Sequence, residues 1–315
     1  MAREIVDAHI HVFRRGCLPE KWFRIGAERW AGSKWPTPPI DSIDIEGGLV
    51  DDDVELLVPT MDAAGVSKVV CLTLDWGVHL GEPKVSIREL HEWYAELQQE
   101  RFAGRFYAAA GVDPRRPDAV KIADDALGRL KLKALKLYPP TGFHVSDDMC
   151  FPLYEKCLEY DVPLVVHSAF IGYPHLGRFA DPLHIGDVQV RYPDLRIVLA
   201  HSGYPFWLDE AIDITAHHPN TYLEISNWNF MLPKHTEQVG EKLLEMVSSV
   251  GAHRMIYASD HLGGRRFSGA KSQVGTWSEF VSKLPEFAAA RGESVSEDEI
   301  DLIMAGNANR VFKLS

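Results

Sequence analysis

The sequence predicts an α/β fold, a (β/α)8 TIM barrel with an irregular Trp/Pro-rich insertion after the first strand, on three observations. Eight short runs rich in Val, Ile and Leu are continuously apolar, the pattern of parallel strands buried on both faces. Helical patterns separate them, and the later strand starts fall roughly 25–40 residues apart, matching an eightfold barrel of about 250 residues. Ionisable side chains gather where strands give way to the following loops. The rival, a doubly wound open sheet, usually has fewer strands and a Gly-rich first turn, which this chain lacks.

The elements follow in order. Ile5–His9 is the first strand, inside "EIVDAHIHVF"; side chains alternate along a strand, so His9 and His11 share a face and can hold one ion between them. Residues 14–49 carry Trp22, Trp30 and Trp35, four prolines and no clean period. Long irregular insertions are usually functional or disordered, and the tryptophans argue for a lid packed over the end of the first strand, or for a dimer contact. Asp52–Ala64 has leucines and Met61 at helical spacing. Strands Lys68–Leu74, Arg105–Gly111, Ala134–Tyr138, Pro163–His167, Arg196–His201, Thr221–Ile225 and Met255–Ser259 then alternate with helices Ile87–Phe102, Asp118–Leu130, Met149–Tyr160, Ile185–Arg191, Phe206–Ala216 and Thr236–Val250. Helices Ser278–Arg291 and Ser296–Met304 close the chain. No linker divides it, so residues 1–315 read as one domain.

Composition narrows the class of function. The 315 residues are 46% hydrophobic and 25% charged, the balance of a globular protein. A net charge of -12 disfavours nucleic acid and anionic membrane as partners. No apolar run reaches the ~18 residues of a membrane helix, and "MAREIVDAH" has no secretory apolar region. Cys17, Cys71, Cys150 and Cys157 form no CxxC pair and suit free thiols in a reducing cytoplasm. The expected partner is a small-molecule substrate, with a homodimer allowed.

In this fold, chemistry sits at the strand ends. The first strand ends at His9 and His11, the fifth at His167, the sixth at His201 and the eighth at Asp260. Singly, each has a bland explanation: a hydrogen-bonded structural histidine, or an Asp that forms a turn or caps a helix. Jointly, they place five groups that can bind or serve a metal at one barrel mouth. His79, His91, His144, His175, His184, His217, His218, His235 and His253 fall mostly on helices or loops and read as surface or pocket residues.

The motifs DAHIHVF, VVHS, PDLRIVLAHSG, YASDH and GNANRVFKL, in this order over nearly the whole chain, resemble the amidohydrolase superfamily, in its amidohydrolase-related branch of hydrolases and decarboxylases. That resemblance implies that His9, His11, His167 and Asp260 bind one divalent ion, with zinc the default and manganese, iron or cobalt as alternatives. It makes His201 the base or electrophile beside the ion, and lets Asp260 serve as both ligand and proton acceptor. Lys136 stands in the fourth strand, where some members carry a carbamylated lysine bridging two ions. Here it reads as a pocket lysine beside one ion, with the two-ion site as the alternative. By the same analogy Asn307 and Arg310 look structural.

Loops after the strands are rich in rings and arginines. Arg14, Trp76, Tyr138, Phe170, Tyr173, Arg178, Tyr204, Trp228 and Arg265 are the candidate substrate contacts, and the guanidinium fork suits a carboxylate. The reading is a metal-dependent hydrolase of a small carboxylated or ring-bearing lactone, ester or amide, acting through metal-activated water. The alternative is a metal-dependent non-oxidative decarboxylase, for which the same ligands serve. Decarboxylase relatives often have Glu for the first His and Tyr-Pro after the last SD, whereas this chain has His9 and SDHLGG. A barrel that binds without turnover is a third possibility, disfavoured by the complete set of five polar positions.

Overall fold

The computed structural model describes residues 3–269 and 272–314. Eight strands, β1 (Val6–Ile10), β2 (Lys68–Leu72), β3 (Phe106–Gly111), β4 (Ala134–Leu137), β5 (Leu164–His167), β6 (Ile197–Ala200), β7 (Thr221–Glu224) and β8 (Met255–Ile256), pair in parallel in sequence order. Beyond β8 the backbone pairs back to β1, through Ala8 N–H to Tyr257 O (3.1 Å), His11 N–H to His261 O (2.7 Å) and Asp260 N–H to His9 O (2.8 Å). The sheet therefore closes into the predicted (β/α)8 barrel. β8 is shorter than expected because Tyr257 N–H turns away to Ile303 O (2.9 Å) in the C-terminal segment.

Two apolar layers follow from the alternation of the strands. Val69, Cys71, Leu135, Leu137, Val166 and Leu199 face outward into the layer shared with the helices. Val70, Leu72, Ala109, Val165, Val198 and Ala200 face inward, where Ala308, Val311 and Phe312 of the last helix (Asn307–Phe312) plug the floor of the barrel. Asn307 Nδ2 ties that plug to Ala252 O (2.8 Å) and Met255 O (2.7 Å), and Arg310 reaches His253 O (2.9 Å), which gives GNANR its structural role.

Three segments differ from the sequence reading. The expected Asp52–Ala64 helix starts only at Leu57, because Val54 takes a left-handed φ of 56° and the Asp51 carboxylate accepts the N–H groups of Glu55, Leu56 and Leu57. Ser278–Arg291 is two helices, Val274–Ser282 and Leu284–Ala289, separated at Lys283 just before Pro285, whose ring suits only a first turn. The insertion is not irregular throughout. Glu20–Gly32 is a helix that buries Ile25, Ala27 and Ala31. The segment leaves and returns at one place, where Phe13 bridges Val50 and Asp51 N–H donates to Phe13 O (2.8 Å).

His91 lies buried within helix Ile87–Glu96, where its Nε2 accepts Gly111 N–H of β3 (3.0 Å) and burial pushes its pKa down to about 4. An unfolded histidine titrates near 6.5, so between these values the unfolded chain holds more protons than the folded one. His91 therefore withdraws stability as pH falls from about 6.5 towards 4. His91→Gln, which keeps an acceptor for Gly111, is expected to remove one proton's slope, about 1.4 kcal/mol per pH unit, from a series of urea unfolding curves across that range. An unchanged slope would place the titration elsewhere. Asn307→Leu is expected to cost on the order of 2 kcal/mol or more in the same assay, since it strands two buried carbonyls.

Candidate metal centre

Strict alternation would set His9 against Ala8, yet both face the barrel interior. The pairing explains this: Asp7 lies opposite Val69 and Ile10 opposite Cys71, so three steps along β1 match two along β2. The bulge reverses the phase of β1 after Ala8, turning Ile10 outward while His9 and His11 point in and Asp7 stays on the outer face. His201 needs a different device. It follows the inward Ala200, so a regular strand would aim it outward. Left-handed backbone at His201 (φ 73°), Ser202 (φ 48°) and Gly203 (φ 74°) turns it in, leaving its ring centroid 4.8 Å from that of His9. A Cβ at Gly203 would meet Trp207 O at 2.1 Å, so the HSG motif needs its glycine. Asp260 also has a left-handed φ of 54°. Left-handed non-glycine residues cost energy and are held by their surroundings, most often at functional sites.

His9, His11 and His167 each have one nitrogen fixed by an acceptor; the free nitrogens of His9 and His11 face a common centre, and that of His167 faces His201. His11 Nδ1 donates to Leu72 O (2.7 Å) and His167 Nε2 donates to Ala169 O (2.9 Å). His9 Nδ1 donates to Glu224 Oε2 (2.8 Å). Carbonyls and carboxylates accept only, so these contacts fix the tautomers and leave His9 Nε2, His11 Nε2 and His167 Nδ1 as bare lone pairs. His9 Nε2 lies 3.1 Å from His11 Nε2, and Asp260 Oδ1 lies 3.4 Å and 3.3 Å from the two. Two lone pairs and a carboxylate oxygen at such distances repel one another unless a cation stands among them. The donor set of His9, His11 and Asp260 fits a divalent ion, and His167 joins the group through its contact with His201.

His201 is held differently. Its Nδ1 meets Ser226 Oγ (2.7 Å), a hydroxyl that can donate or accept, and its Nε2 faces the bare His167 Nδ1 (3.1 Å). Because His167 Nδ1 can only accept, His201 Nε2–H donates to it and the Ser226 hydroxyl donates to His201 Nδ1, so this ring too is held in one tautomer. Burial and cationic or imidazole neighbours push His9, His167 and His201 well below the ordinary histidine range, holding the rings neutral.

Two carboxylates absent from the sequence reading complete the group. Glu224 ends β7, fully buried; burial raises its pKa, and it lies in the field of Lys136. Burial lowers Lys136 while Glu224 and Asp260 pull it up, and its Nζ makes no hydrogen bond among the described residues. Asp7, on the outer face, accepts Ser259 N–H (2.9 Å), Ser259 Oγ–H (2.6 Å) and His9 N–H (3.3 Å), clamping β1 to the segment that carries Asp260. A signal for Glu224 was present: "TYLE" ends an apolar strand on a carboxylate, as "LVVH" ends one on His167.

The predicted substrate contacts divide. Tyr138 stacks over His167 (4.4 Å between centroids), Trp76 packs on Tyr138 (5.3 Å), and Trp22 of the insertion packs on Trp76 (5.4 Å). Asp75, next to Trp76, is locked to Arg116 (2.6 Å). A cavity of about 260 Å³ opens instead on the β7–β8 side, where Asp260 meets Asn229, Phe230, Leu262, Arg266 and Phe267. Trp228 is buried beside it, edge-on to Tyr204 (5.2 Å). The structure does not bring the rest to the metal group. Arg14 lies over Trp93 in an outer groove with Glu89 and Glu92; Phe170 and Tyr173 are exposed, and Arg178 lies over Phe179. Arg265 points to solvent, and its neighbour Arg266 takes the cavity position.

A family model described as Amidohydrolase matches residues 6–314. Solved structures of similar fold include an uncharacterized TIM-barrel protein from Bordetella bronchiseptica (21% identity, 99% of each chain, TM-score 0.67). Another is 5-carboxyvanillate decarboxylase from Novosphingobium aromaticivorans, complexed with manganese and 4-hydroxy-3-methoxy-5-nitrobenzoic acid (16% identity, 99% of this chain and 96% of that one, TM-score 0.66). A third is a putative 2-pyrone-4,6-dicarboxylic acid hydrolase from Pseudomonas putida (15% identity, 100% and 99%, TM-score 0.64). At these identities the likeness is one of fold. No curated protein matches the chain. The family match runs from the first strand to the last helix and spans every residue of the metal group, so the chain belongs to the amidohydrolase family.

Proposed function

We propose that this chain is a metal-dependent hydrolase of a small lactone, ester or amide that bears a ring or a carboxylate. The observation that carries the reading is the convergence of His9 Nε2, His11 Nε2 and Asp260 Oδ1 within 3.1–3.4 Å of one another. Held there, a divalent cation supplies Lewis acidity and lowers the pKa of water. Zinc suits three nitrogens and an oxygen, and manganese is the alternative. One ion is the simpler reading, with Lys136 an unmodified pocket lysine beside it.

The residues divide the remaining work. Asp260 stands between the ion ligands and the cavity, with its side chain 15% exposed, and can take a proton from water on that side. His201, buried and neutral beside His9 and His167, can serve as the base or electrophile next to the ion. The cavity holds one substituted ring: an apolar cavity of roughly 150 Å³ accepts benzene, and this one is larger. Arg266 at its edge offers a fork to a carboxylate.

A second reading, non-oxidative decarboxylation, is favoured by one observation: several structures of the same fold are decarboxylases. A product assay separates the two. Release of CO2 marks decarboxylation, whereas a new carboxylate without CO2 marks hydrolysis.

Metal analysis of protein purified without chelator is expected to give about one ion per chain; about two would point to a carbamylated Lys136. His9→Ala should lose most of the metal with the fold retained. If its metal content matches the parent protein, the ligand assignment fails. His201→Ala should keep the metal and lose turnover by roughly 10²–10⁴-fold, the range a positioned base contributes.

A further inference from the structure

Glu224 uses its two oxygens on two different histidines. Oε2 accepts His9 Nδ1–H (2.8 Å), while Oε1 accepts the backbone N–H of Ser226, whose hydroxyl lies 2.7 Å from His201 Nδ1. Both the His9 and the Glu224 side chains are 1% exposed, so solvent does not compete for these bonds. We propose that Glu224 is a positioning residue: it locks His9 in the tautomer whose Nε2 faces the ion and, through Ser226, sets the ring of His201. One carboxylate on β7 thereby aligns a ligand from β1 and His201 from β6. The inference rests on the one-ion reading above.

The bland alternative makes Glu224 a counter-charge for Lys136. The geometry argues otherwise, since Lys136 Nζ makes no hydrogen bond to it, whereas both carboxylate oxygens are occupied by the two partners that lead to His9 and His201. A buried carboxylate is costly unless its oxygens are satisfied, and these two contacts satisfy them. Outer partners of this kind fix the orientation and basicity of a metal-binding histidine.

The proposal makes Glu224→Gln a demanding substitution despite its unchanged shape. Glutamine has one oxygen and one NH2, so it can accept from only one of the two donors. If its NH2 faces His9, the ring must take its proton on Nε2 and the inward lone pair is lost. If its NH2 faces Ser226, two donors meet and the Ser226–His201 link is disturbed.

The test uses the full chain, with nitrogen-resolved NMR of the histidine rings after chelator treatment and zinc affinity by competition with a chromogenic chelator. In the parent protein His9 should show a protonated Nδ1 and a bare Nε2. Glu224→Gln should alter that signature and weaken zinc binding about 10–100-fold. Glu224→Asp keeps two oxygens on a shorter stem and should recover part of the affinity. Ser226→Ala should change the His201 signals while zinc affinity stays within a few-fold. The proposal is overturned if Glu224→Gln keeps both the parent affinity and the parent His9 tautomer. Should that variant misfold, a parent His9 protonated on Nε2 instead of Nδ1, together with unmoved His201 signals in Ser226→Ala, overturns it equally. A parent protein that binds no zinc or manganese would defeat the proposed function, yet the ring signals without metal would still decide the role of Glu224.

Discussion

Bare imidazole nitrogens facing one another across about 3 Å are the constraint on which the rest of the site depends. His9, His11 and His167 each spend one nitrogen on an acceptor that cannot donate, namely Glu224, Leu72 O and Ala169 O. The remaining lone pairs have nowhere to turn but inward. Neutral rings are required for this, and burial keeps His9 and His167 neutral by lowering their affinity for protons. A protein that buries such a set without a cation pays electrostatic repulsion for no packing gain. The anchoring groups therefore argue for the ion as strongly as its candidate ligands do, because they prevent His9 and His11 from relaxing into a hydrogen bond with one another.

The barrel delivers these groups by departing from regularity at a few points. A plain β1 would alternate Val6, Ala8 and Ile10 inward and expose no histidine to the mouth. The bulge between Asp7 and Ile10 reverses the phase after Ala8 and sends His9 and His11 in together. The same bulge leaves Asp7 outside, where it accepts from Ser259 and from His9 N–H and so braces β1 against the Asp260 segment. On β6 and after β8 the device is left-handed backbone at His201 and Asp260. Strain placed at these two positions is sustained by an otherwise well-filled barrel, with the last helix sealing its floor.

Much of this was legible in the sequence. Continuous apolar runs gave eight strands in order, because strands buried on both faces cannot alternate polar and apolar residues. The strand-end rule gathered His9, His11, His167, His201 and Asp260. What the sequence concealed were phase changes. Alternation alone puts Asp7 with the histidines and turns His201 away, and only backbone geometry reverses both. Glu224 was readable in principle, as a carboxylate ending the seventh strand, but charged residues at strand ends usually meet solvent. Arg265 and Arg266 differ by one step of a four-residue helix, Gly264–Phe267, and nothing in a local sequence says which of them faces a cavity. The helix Glu20–Gly32 was hidden among prolines that lie outside its ends.

The two sides of the metal group are built for different tasks, and this bears on the direction of substrate approach. Over His167 stand Tyr138, Trp76 and Trp22 in continuous ring contact, a wall that joins the insertion to the barrel mouth. Beside Asp260 the packing opens into the cavity edged by Arg266. A low-dielectric wall on one side strengthens the field of a cation on whatever lies opposite it. A substrate in the cavity would meet Asp260 first, with the imidazoles behind it. Asp260 thus stands both on the cavity wall and against His9 and His11, held in position by the bond from its own backbone N–H to His9 O.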